Sequence, residues 1–209
     1  MKSPERETTL SVMQTENLIV AILIGDSTVI CKNSGLHELD FTLPTNRQHI
    51  LKQYLSNNPY AQIEIVQVNE QTNTYKIKSN FMLERIIRKW VDDRGKVIAV
   101  NPLQLSSSVF MLWVCLFANR TKFEGTIKSR NISLEATRVI CKMYAHYLES
   151  SYILYKNGCY TIGALNGVFL YSIRNNRPSY ETLEIGALLD EEYSLNQLRQ
   201  LVEGEMEFA

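Results

Sequence analysis

The sequence has few of the residues that build familiar catalytic and structural sites. It contains three histidines, four cysteines and five prolines among 209 residues, and the cysteines at positions 31, 115, 141 and 159 form no C-x-x-C pair. Such irregular spacing predicts neither a zinc site nor a disulfide framework. We therefore expect four reduced thiols, no bound metal and no cofactor.

Sequence signatures of common enzymes are also missing. The chain has no G-x-x-x-x-G-K-[ST], G-x-G-x-x-G, G-x-S-x-G or H-E-x-x-H pattern, which removes the usual nucleotide-binding, hydrolase and metalloprotease signals. The one close grouping of a histidine with carboxylates is His37, Glu38 and Asp40, a combination that is most often only solvated. No catalytic residue is assigned. Whether the chain is an enzyme stays open, and these absences favour a protein that is not one.

Long apolar segments are absent as well. The first residues, from Met1 to Glu7, are polar and lack the apolar stretch of a secretory signal. The longest apolar run has ten residues, from Val109 to Ala118, and would span about 15 Å as a helix, half the thickness of a bilayer. The sequence predicts an intracellular, soluble protein, cytoplasmic or nuclear, with this run as a buried central helix that begins after Ser106–Ser108.

Charge is balanced over the whole chain but not along it. Residues 1–73 carry 5 basic and 8 acidic side chains, residues 74–174 carry 15 and 6, and residues 175–209 carry 2 and 8. A basic middle followed by an acidic end is one pattern of polyanion-binding proteins, although such charges can also neutralise each other in the fold.

Hydrophobic patterning predicts an α+β fold. Residues 1–15 are expected to be a flexible leader. Residues 16–103 are interpreted as hairpin–helix, hairpin–helix, a small mixed or antiparallel sheet covered by helices. The first strand would be the β-branched run Leu18–Ile24, paired in a hairpin with Thr28–Cys31. Helices are predicted at 47–57 and after Ser79-Asn80, where apolar residues recur at helical spacing, and Lys96–Val100 could form a fifth strand.

Residues 104–209 are predicted to form a mainly helical half, packed around the central helix and ending in the acidic segment. A helix should begin at Ser133, and two more are expected at Tyr180–Leu189 and Ser194–Val202. Residues 151–174 allow two interpretations. Asn157-Gly158 and Asn166-Gly167 are typical turns of a β-meander, whereas apolar residues at helical spacing between Tyr160 and Arg174 favour, slightly, a pair of helices.

Two groups of side chains are candidate binding sites. A basic group around one aromatic residue could bind phosphates and stack a base, unless acidic side chains already neutralise it. An unusual number of tyrosines, eleven in the chain, could line an interface for self-association, although tyrosines of a helical core would look the same. The basic group is Arg85, Arg88, Lys89, Arg120, Lys122, Phe123, Lys128 and Arg130, and the tyrosines are Tyr144, Tyr147, Tyr152, Tyr155, Tyr160 and Tyr171.

Three functions remain open from the sequence. The missing catalytic signatures and the tyrosine-rich half favour a non-catalytic binding or assembly protein that acts through protein contacts and self-associates. The alternative is a nucleic-acid-binding regulator that uses the basic middle segment. A second alternative is a small enzyme without a familiar motif, for which the segment from His37 to Asp40 would be the place to look.

Overall fold

The computed structural model describes residues 4–45, 47–57, 63–120, 124–145 and 152–163. These residues form five helices, one 3₁₀ turn and eight strands. In chain order the elements are α1 (Pro4–Leu23), β1 (Ser27–Cys31), β2 (His37–Thr42), α2 (Gln48–Asn57), β3 (Ile65–Asn69), β4 (Thr74–Ile77), α3 (Phe81–Trp90), the 3₁₀ turn Pro102–Gln104, α4 (Ser107–Phe117), β5 (Asn119–Arg120), β6 (Glu124–Lys128), α5 (Leu134–Ala145), β7 (Ile153–Lys156) and β8 (Cys159–Gly163).

The eight strands form two antiparallel sheets with the same strand order. The first sheet runs β1-β2-β4-β3 and the second runs β5-β6-β8-β7. Each sheet is preceded by a helix, α1 or α4, and each carries a further helix, α2 or α5, between its second and third strands. The described chain is therefore built from two repeats of helix, hairpin, helix, hairpin.

The two leading helices pack against each other at the centre of the molecule. Every side chain from Leu18 to Leu23 in α1 is buried, together with Ile24 directly after it, and so is every one from Val109 to Phe117 in α4. Ser106 caps α4 by accepting a hydrogen bond from the backbone N–H of Val109 at 3.2 Å. A helix that is apolar on all sides requires neighbours on all sides. Here α1 packs against α4, α3 and β1, and α4 packs against α1, α2 and β6.

The end of α1 lies unusually close to α4. A Cβ atom placed on Gly25 would come within 2.8 Å of the Phe117 ring, so only glycine permits this approach. Asn131 then joins the repeats from the other side, since its side-chain amide donates to the backbone oxygen of Ser27 at 3.0 Å and to the Thr28 hydroxyl at 3.1 Å. Asp26 is thereby fixed between the two repeats.

The α+β class is confirmed, and so is the central helix with its serine cap. Helices predicted at 47–57, after Asn80 and after Ser133 are present as α2, α3 and α5. For α3 the cap is observed directly, because the Asn80 side-chain oxygen accepts from the Leu83 N–H at 2.9 Å.

Several local predictions differ from the structure. Leu18–Ile24 is the last part of α1, which begins at Pro4 and so includes most of the predicted leader; β-branched residues suit a helix when tertiary packing buries them. The partner of β1 is β2, and not the run Leu18–Ile24 that the sequence predicted. Lys96–Val100 contributes only isolated bridges at Val97.

The second half contains more strand than the sequence suggested. Residues 104–209 are predicted to be mainly helical, yet Glu124–Lys128 forms the strand β6. The slightly favoured helix pair after residue 151 is wrong as far as residue 163. The turn at Asn157-Gly158 joins β7 to β8, and both turn residues have the positive φ that this turn type requires. Residues 164–174 and the helices predicted after Tyr180 lie outside the described residues. The boundary proposed at residues 103 and 104 stays a prediction.

No helix among the described residues is long and apolar enough to cross a membrane.

Candidate functional site

A small cleft lies where the two central helices end. Its volume is about 100 Å³, and it is lined by Asp26, Thr42, Leu43, Pro44, Phe117, Asn119 and Lys128. These residues come from both repeats. The cleft is therefore shared between the repeats.

Asp26 and Asn119 occupy corresponding positions in the two repeats. Each follows the apolar end of a central helix and one small residue, Gly25 in the first repeat and Ala118 in the second. Each lies directly before or at the start of the first strand of its sheet. The two repeats thus bring a carboxylate and a carboxamide to one cleft, at positions related by the repeat.

The backbone around these two residues is held by hydrogen bonds. The Thr42 N–H donates to the backbone oxygen of Asp26 at 3.0 Å, which fixes the end of β2 beside the acid. In the other repeat, the buried guanidinium of Arg47 donates to the backbone oxygen of Ala118 at 3.3 Å. The backbone at Asp26 and the backbone directly before Asn119 are therefore held by residues outside the two central helices.

The Asp26 carboxyl lies in an electrostatically mixed environment. Burial raises its pKa above the ordinary value for aspartate, and the positive charges of Lys128 and Arg130 offset part of that rise. Lys128 lines the same cleft as the carboxylate. A half-buried acid beside a lysine is an arrangement suited to binding or reacting with a phosphate group.

Each sheet has one face packed on the helices and one open face. In the first sheet Leu39, Phe41 and Ile77 are buried, and the alternate residues of the same strands point to the open face. In the second sheet Ile127, Tyr160 and Ile162 are buried. Thr42 belongs to the first open face and Lys128 to the second, and both line the cleft. The two open faces therefore border the same cleft.

The open faces differ in charge. On the first, Lys76 lies 3.0 Å from Glu38 and 3.8 Å from Asp40, and Lys32 lies 2.9 Å from Glu38, so its cations are already paired. On the second, Lys128 and Lys156 both oppose Cys159 in the strand register and lie on either side of it. Arg130 packs its stem against the turn at Gly158. Within the described part of the chain these three cations form no ion pair.

The structure separates the predicted basic group into two places. Lys128 and Arg130 lie near Asp26. Arg85, Arg88 and Lys89 lie on the solvent side of α3, whose opposite side packs into the core, so they do not share the open face with Lys128. Arg120 belongs to β5, but its side chain is outside what the structure describes, as are Lys122 and Phe123.

The tyrosines are also divided. Tyr144 and Tyr160 are fully buried against Trp113, with ring centroids 5.6 and 4.9 Å from it, and cannot line a surface. Tyr155 is half-buried and donates its hydroxyl hydrogen to the Ser129 backbone oxygen at 2.9 Å. Tyr152 is exposed and donates to Glu124. Tyr147 and Tyr171 lie outside the described residues.

His37, Glu38 and Asp40 do not converge. The His37 ring and backbone N–H lie 2.9 and 2.6 Å from the two carboxylate oxygens of Glu84, on the side of the sheet that faces α3. Burial would raise the pKa of Glu84, but hydrogen bonds from His37 and Ser79 lower it overall. Glu38 and Asp40 lie on the opposite, open face with Lys76. The three residues therefore form no common site.

Sequence reasoning missed Asp26, Asn119 and Lys156. The signal for the first two was present: two apolar runs, each followed by a small residue and then by a polar one, at Gly25-Asp26 and Ala118-Asn119. The β-branched residues of the first run predict a strand, and only its helical conformation makes the two runs equivalent.

The fold resembles that of solved homing endonucleases. The homing endonuclease I-WcaI, bound to its DNA recognition sequence, is similar with a TM-score of 0.53 over 88% of this chain and 94% of that one, at 12% identity. I-DmoI in complex with DNA and Ca is more distant, with a TM-score of 0.46 at 14% identity over 78% of this chain and 90% of that one. No protein-family model and no curated protein sequence matches the chain.

This likeness corrects the leading functional prediction. A non-catalytic protein that acts through protein contacts is the sequence-based expectation, and that prediction is wrong, since a solved protein with a similar fold is a homing endonuclease bound to DNA. Among the described residues, the tyrosines predicted to line a self-association surface are buried or hydrogen-bonded within the same chain, so they do not support self-association. Nucleic-acid binding, the alternative, is the better supported.

Proposed function

We propose that this protein binds double-stranded DNA across the open faces of its two sheets and hydrolyses one DNA strand at the cleft that contains Asp26. The observation that carries the proposal is the meeting of both open faces at one cleft, where the paired helices end and where Asp26 lies near Lys128. The likeness to a DNA-bound homing endonuclease supports it.

The repeated architecture suits a duplex. Double-stranded DNA has its own two-fold symmetry, and proteins with two related halves contact two half-sites. β-Strands can lie in the major groove, which admits a two-stranded ribbon. In this protein each open face carries threonines that could contact base edges or phosphates, among them Thr28 on the first face and Thr126 and Thr161 on the second.

The unpaired cations of the second sheet should contribute most of the electrostatic affinity. Each lysine or arginine that neutralises a phosphate releases counterions and adds about 0.9 to the slope of log affinity against log salt. We expect Lys128→Ala/Arg130→Ala/Lys156→Ala to bind duplex DNA at least about tenfold more weakly at 150 mM salt and to lower that slope by about 3. Fluorescence anisotropy with labelled duplex over a salt series measures both quantities.

The matched control is Lys32→Ala/Lys76→Ala on the first sheet. Because Glu38 and Asp40 already neutralise these lysines, their removal should change the salt slope much less than the triple substitution. Equal slopes for the wild-type protein and the triple variant would contradict a DNA surface on the second sheet.

The chemistry at the cleft depends on Asp26 and Lys128. Hydrolysis forms a bond from the oxygen of an attacking water to the phosphorus and breaks a P–O ester bond of the DNA backbone. The Asp26 carboxylate can accept the proton of that water, Lys128 can neutralise a non-bridging phosphate oxygen, and the departing ester oxygen takes a proton from solvent. Magnesium in such sites is held by one or two carboxylates together with substrate phosphates. Asp26 and the Asn119 carboxamide meet that requirement once a phosphate is present. The described residues offer no cluster of three or more His, Cys, Asp or Glu that could hold a metal without DNA. A magnesium ion bound here would polarise the phosphoryl oxygen and make its bound water more acidic.

The unequal pair Asp26 and Asn119 limits the reaction to one strand. A neutral carboxamide is a poorer cation ligand than a carboxylate and cannot act as a general base, so only the Asp26 side has a complete set of groups. The expected product from supercoiled plasmid DNA is the nicked circle, and gel electrophoresis separates nicked from linear product. Failure to bind duplex DNA even at low salt would contradict the whole proposal.

Introducing a second carboxylate at position 119 should change the product of plasmid cleavage. We expect Asn119→Asp to produce linear plasmid in addition to nicked plasmid, because the new acid lies in the position that corresponds to Asp26. The double variant Asp26→Asn/Asn119→Asp should nick the opposite strand, which mapping of the labelled 5′ ends on a duplex target detects.

Asn119→Ala is the control for this experiment. It removes the carboxamide without adding an acid, and its product should remain the nicked circle. Cutting of both strands by the wild-type protein, or an unchanged strand in the double variant, would contradict the assignment of one acid to one strand.

A further inference from the structure

The solvent side of α3 carries an apolar hollow edged by positive charges. The hollow has a volume of about 490 Å³, and its apolar centre is formed by Leu36 and Phe81, which are 47% and 81% exposed. The cations at its edge are Arg85, Arg88 and Lys89. We call these five residues the α3 surface. Packing of the described residues does not bury the Phe81 ring, and an exposed apolar group beside three cations is typical of a binding surface.

The charge of the α3 surface is only partly neutralised. Arg85 lies 3.3 Å from Glu16, whereas Arg88 reaches Glu84 only at 4.0 Å and remains largely exposed. Glu84 is already engaged by His37 and by Ser79. Within the described residues Lys89 has no ion pair. A binding partner of this surface must therefore combine apolar side chains with negative charge.

The α3 surface is separate from the proposed DNA surface. The opposite side of α3, which includes Leu83, Ile86 and Trp90, packs into the core against α1 and β2. The cations of α3 consequently project from the helical layer, while the open faces of the sheets lie on the other side of the strands. Binding at one surface leaves the other accessible.

The chain itself contains a segment of the required composition. Residues 178–193 include Glu181, Glu184 and three consecutive acids at 190–192, and contain no lysine or arginine. The same segment carries Tyr180, Leu183, Ile185, Leu188 and Leu189. Its apolar side chains could pack on Leu36 and Phe81, and its carboxylates could form ion pairs with the cations of the α3 surface.

The connection to the described part of the chain is long enough. Fourteen residues lie between Gly163 and residue 178, and the fifteen steps that join these two positions can span about 50 Å at roughly 3.3 Å per extended residue. A compact body of about 160 residues has a radius of gyration of about 15 Å, so a connection of this length extends over a large part of its surface.

From this complementarity of charge and apolar character we infer that residues 178–193 bind the α3 surface of the same chain. The acidic segment covers Phe81 and neutralises Arg88 and Lys89. It thereby keeps a basic, apolar surface from non-specific contact with nucleic acid, and directs DNA to the open faces of the sheets.

Photo-crosslinking in the full-length chain tests the inference. With p-benzoyl-phenylalanine in place of Phe81, irradiation of the purified protein should give cross-links within one chain, and mass spectrometry of the peptides should place them in residues 178–193. The same probe at Leu103, which is 91% exposed on the 3₁₀ turn, is the control and should not label this segment.

Charge reversal supplies the second measurement. Arg88→Glu/Lys89→Glu leaves the Arg85–Glu16 ion pair intact and should lower the yield of cross-linked 178–193 at least about fivefold, and adding Glu181→Lys/Glu184→Lys should restore it. Cross-links to a second copy, to an added single-stranded oligonucleotide in place of the segment, to other residues, or to nothing would each overturn the inference. Circular dichroism confirms that every variant is folded before it is compared.

Discussion

Replacing Asp26 by Asn should lower the rate of plasmid nicking by at least about 100-fold and leave the affinity for duplex DNA within about threefold of the wild-type value. Asn keeps the size of the side chain but removes the charge and the ability to accept a proton, and loss of a general base typically costs 10²–10⁴ in rate. The nicking rate in magnesium and the affinity measured by anisotropy separate the effect on chemistry from the effect on binding.

The environment of Asp26 makes this prediction specific. Its pKa is raised by burial and brought partly back by Lys128 and Arg130, so the acid is not an ordinary surface carboxylate. Asp93→Asn is the matched control, because Asp93 lies in the exposed turn after α3. This variant should nick plasmid at the wild-type rate. An Asp26→Asn variant that nicks normally would exclude the cleft as the active site.

Replacing Trp113 by Ala should destabilise the protein by about 3–5 kcal/mol, which corresponds to a fall in Tm of about 6–20 °C. Trp113 is fully buried in α4, between Phe110 and the rings of Tyr144 and Tyr160. Its removal leaves a cavity where α4, α5 and β8 meet. Thermal unfolding followed by circular dichroism, with urea unfolding as a second measure, gives the change in free energy.

Leu103→Ala is the control for this substitution. Leu103 is as apolar as the core residues but lies almost entirely in solvent, so its truncation should change the free energy of unfolding by no more than about 0.5 kcal/mol. A Trp113→Ala variant as stable as the Leu103 control would mean that the second sheet does not pack on α4.

The predicted binding groups show how far a linear sequence can locate a site. Lys128 and Arg130 were identified from their clustering, and they lie near Asp26. The same predicted group includes Arg85, Arg88 and Lys89, but these lie on α3, which packs on the first sheet, on the side away from its open face. Charge clustering along the chain cannot distinguish these cases, because the side of a sheet on which a charge lies depends on where the neighbouring helix packs.

Asp26 illustrates the opposite error. The run Leu18–Ile24 is rich in β-branched residues, and its local preference for strand was taken as decisive. Packing against α4 buries the run on all sides and overrides that preference. With the helix recognised, Gly25-Asp26 and Ala118-Asn119 become corresponding positions.

The sequence by itself determined the elements whose signals are local. The central helix and its serine cap, the caps and apolar stripes of α3 and α5, and the α+β class follow from spacing and composition alone, because a helix stripe and a cap involve residues only a few positions apart. Asn157-Gly158 also predicts a β-turn from the sequence alone, and the structure has that turn between β7 and β8.

Only the tertiary structure decided what the protein can do. The contact of Gly25 with Phe117 joins residues more than ninety positions apart, and that contact brings Asp26, Asn119 and Lys128 into one cleft. The division of each sheet into a packed and an open face likewise depends on the partner helix. A functional site assembled across two repeats has no local signature, because its geometry exists only after the repeats have packed together.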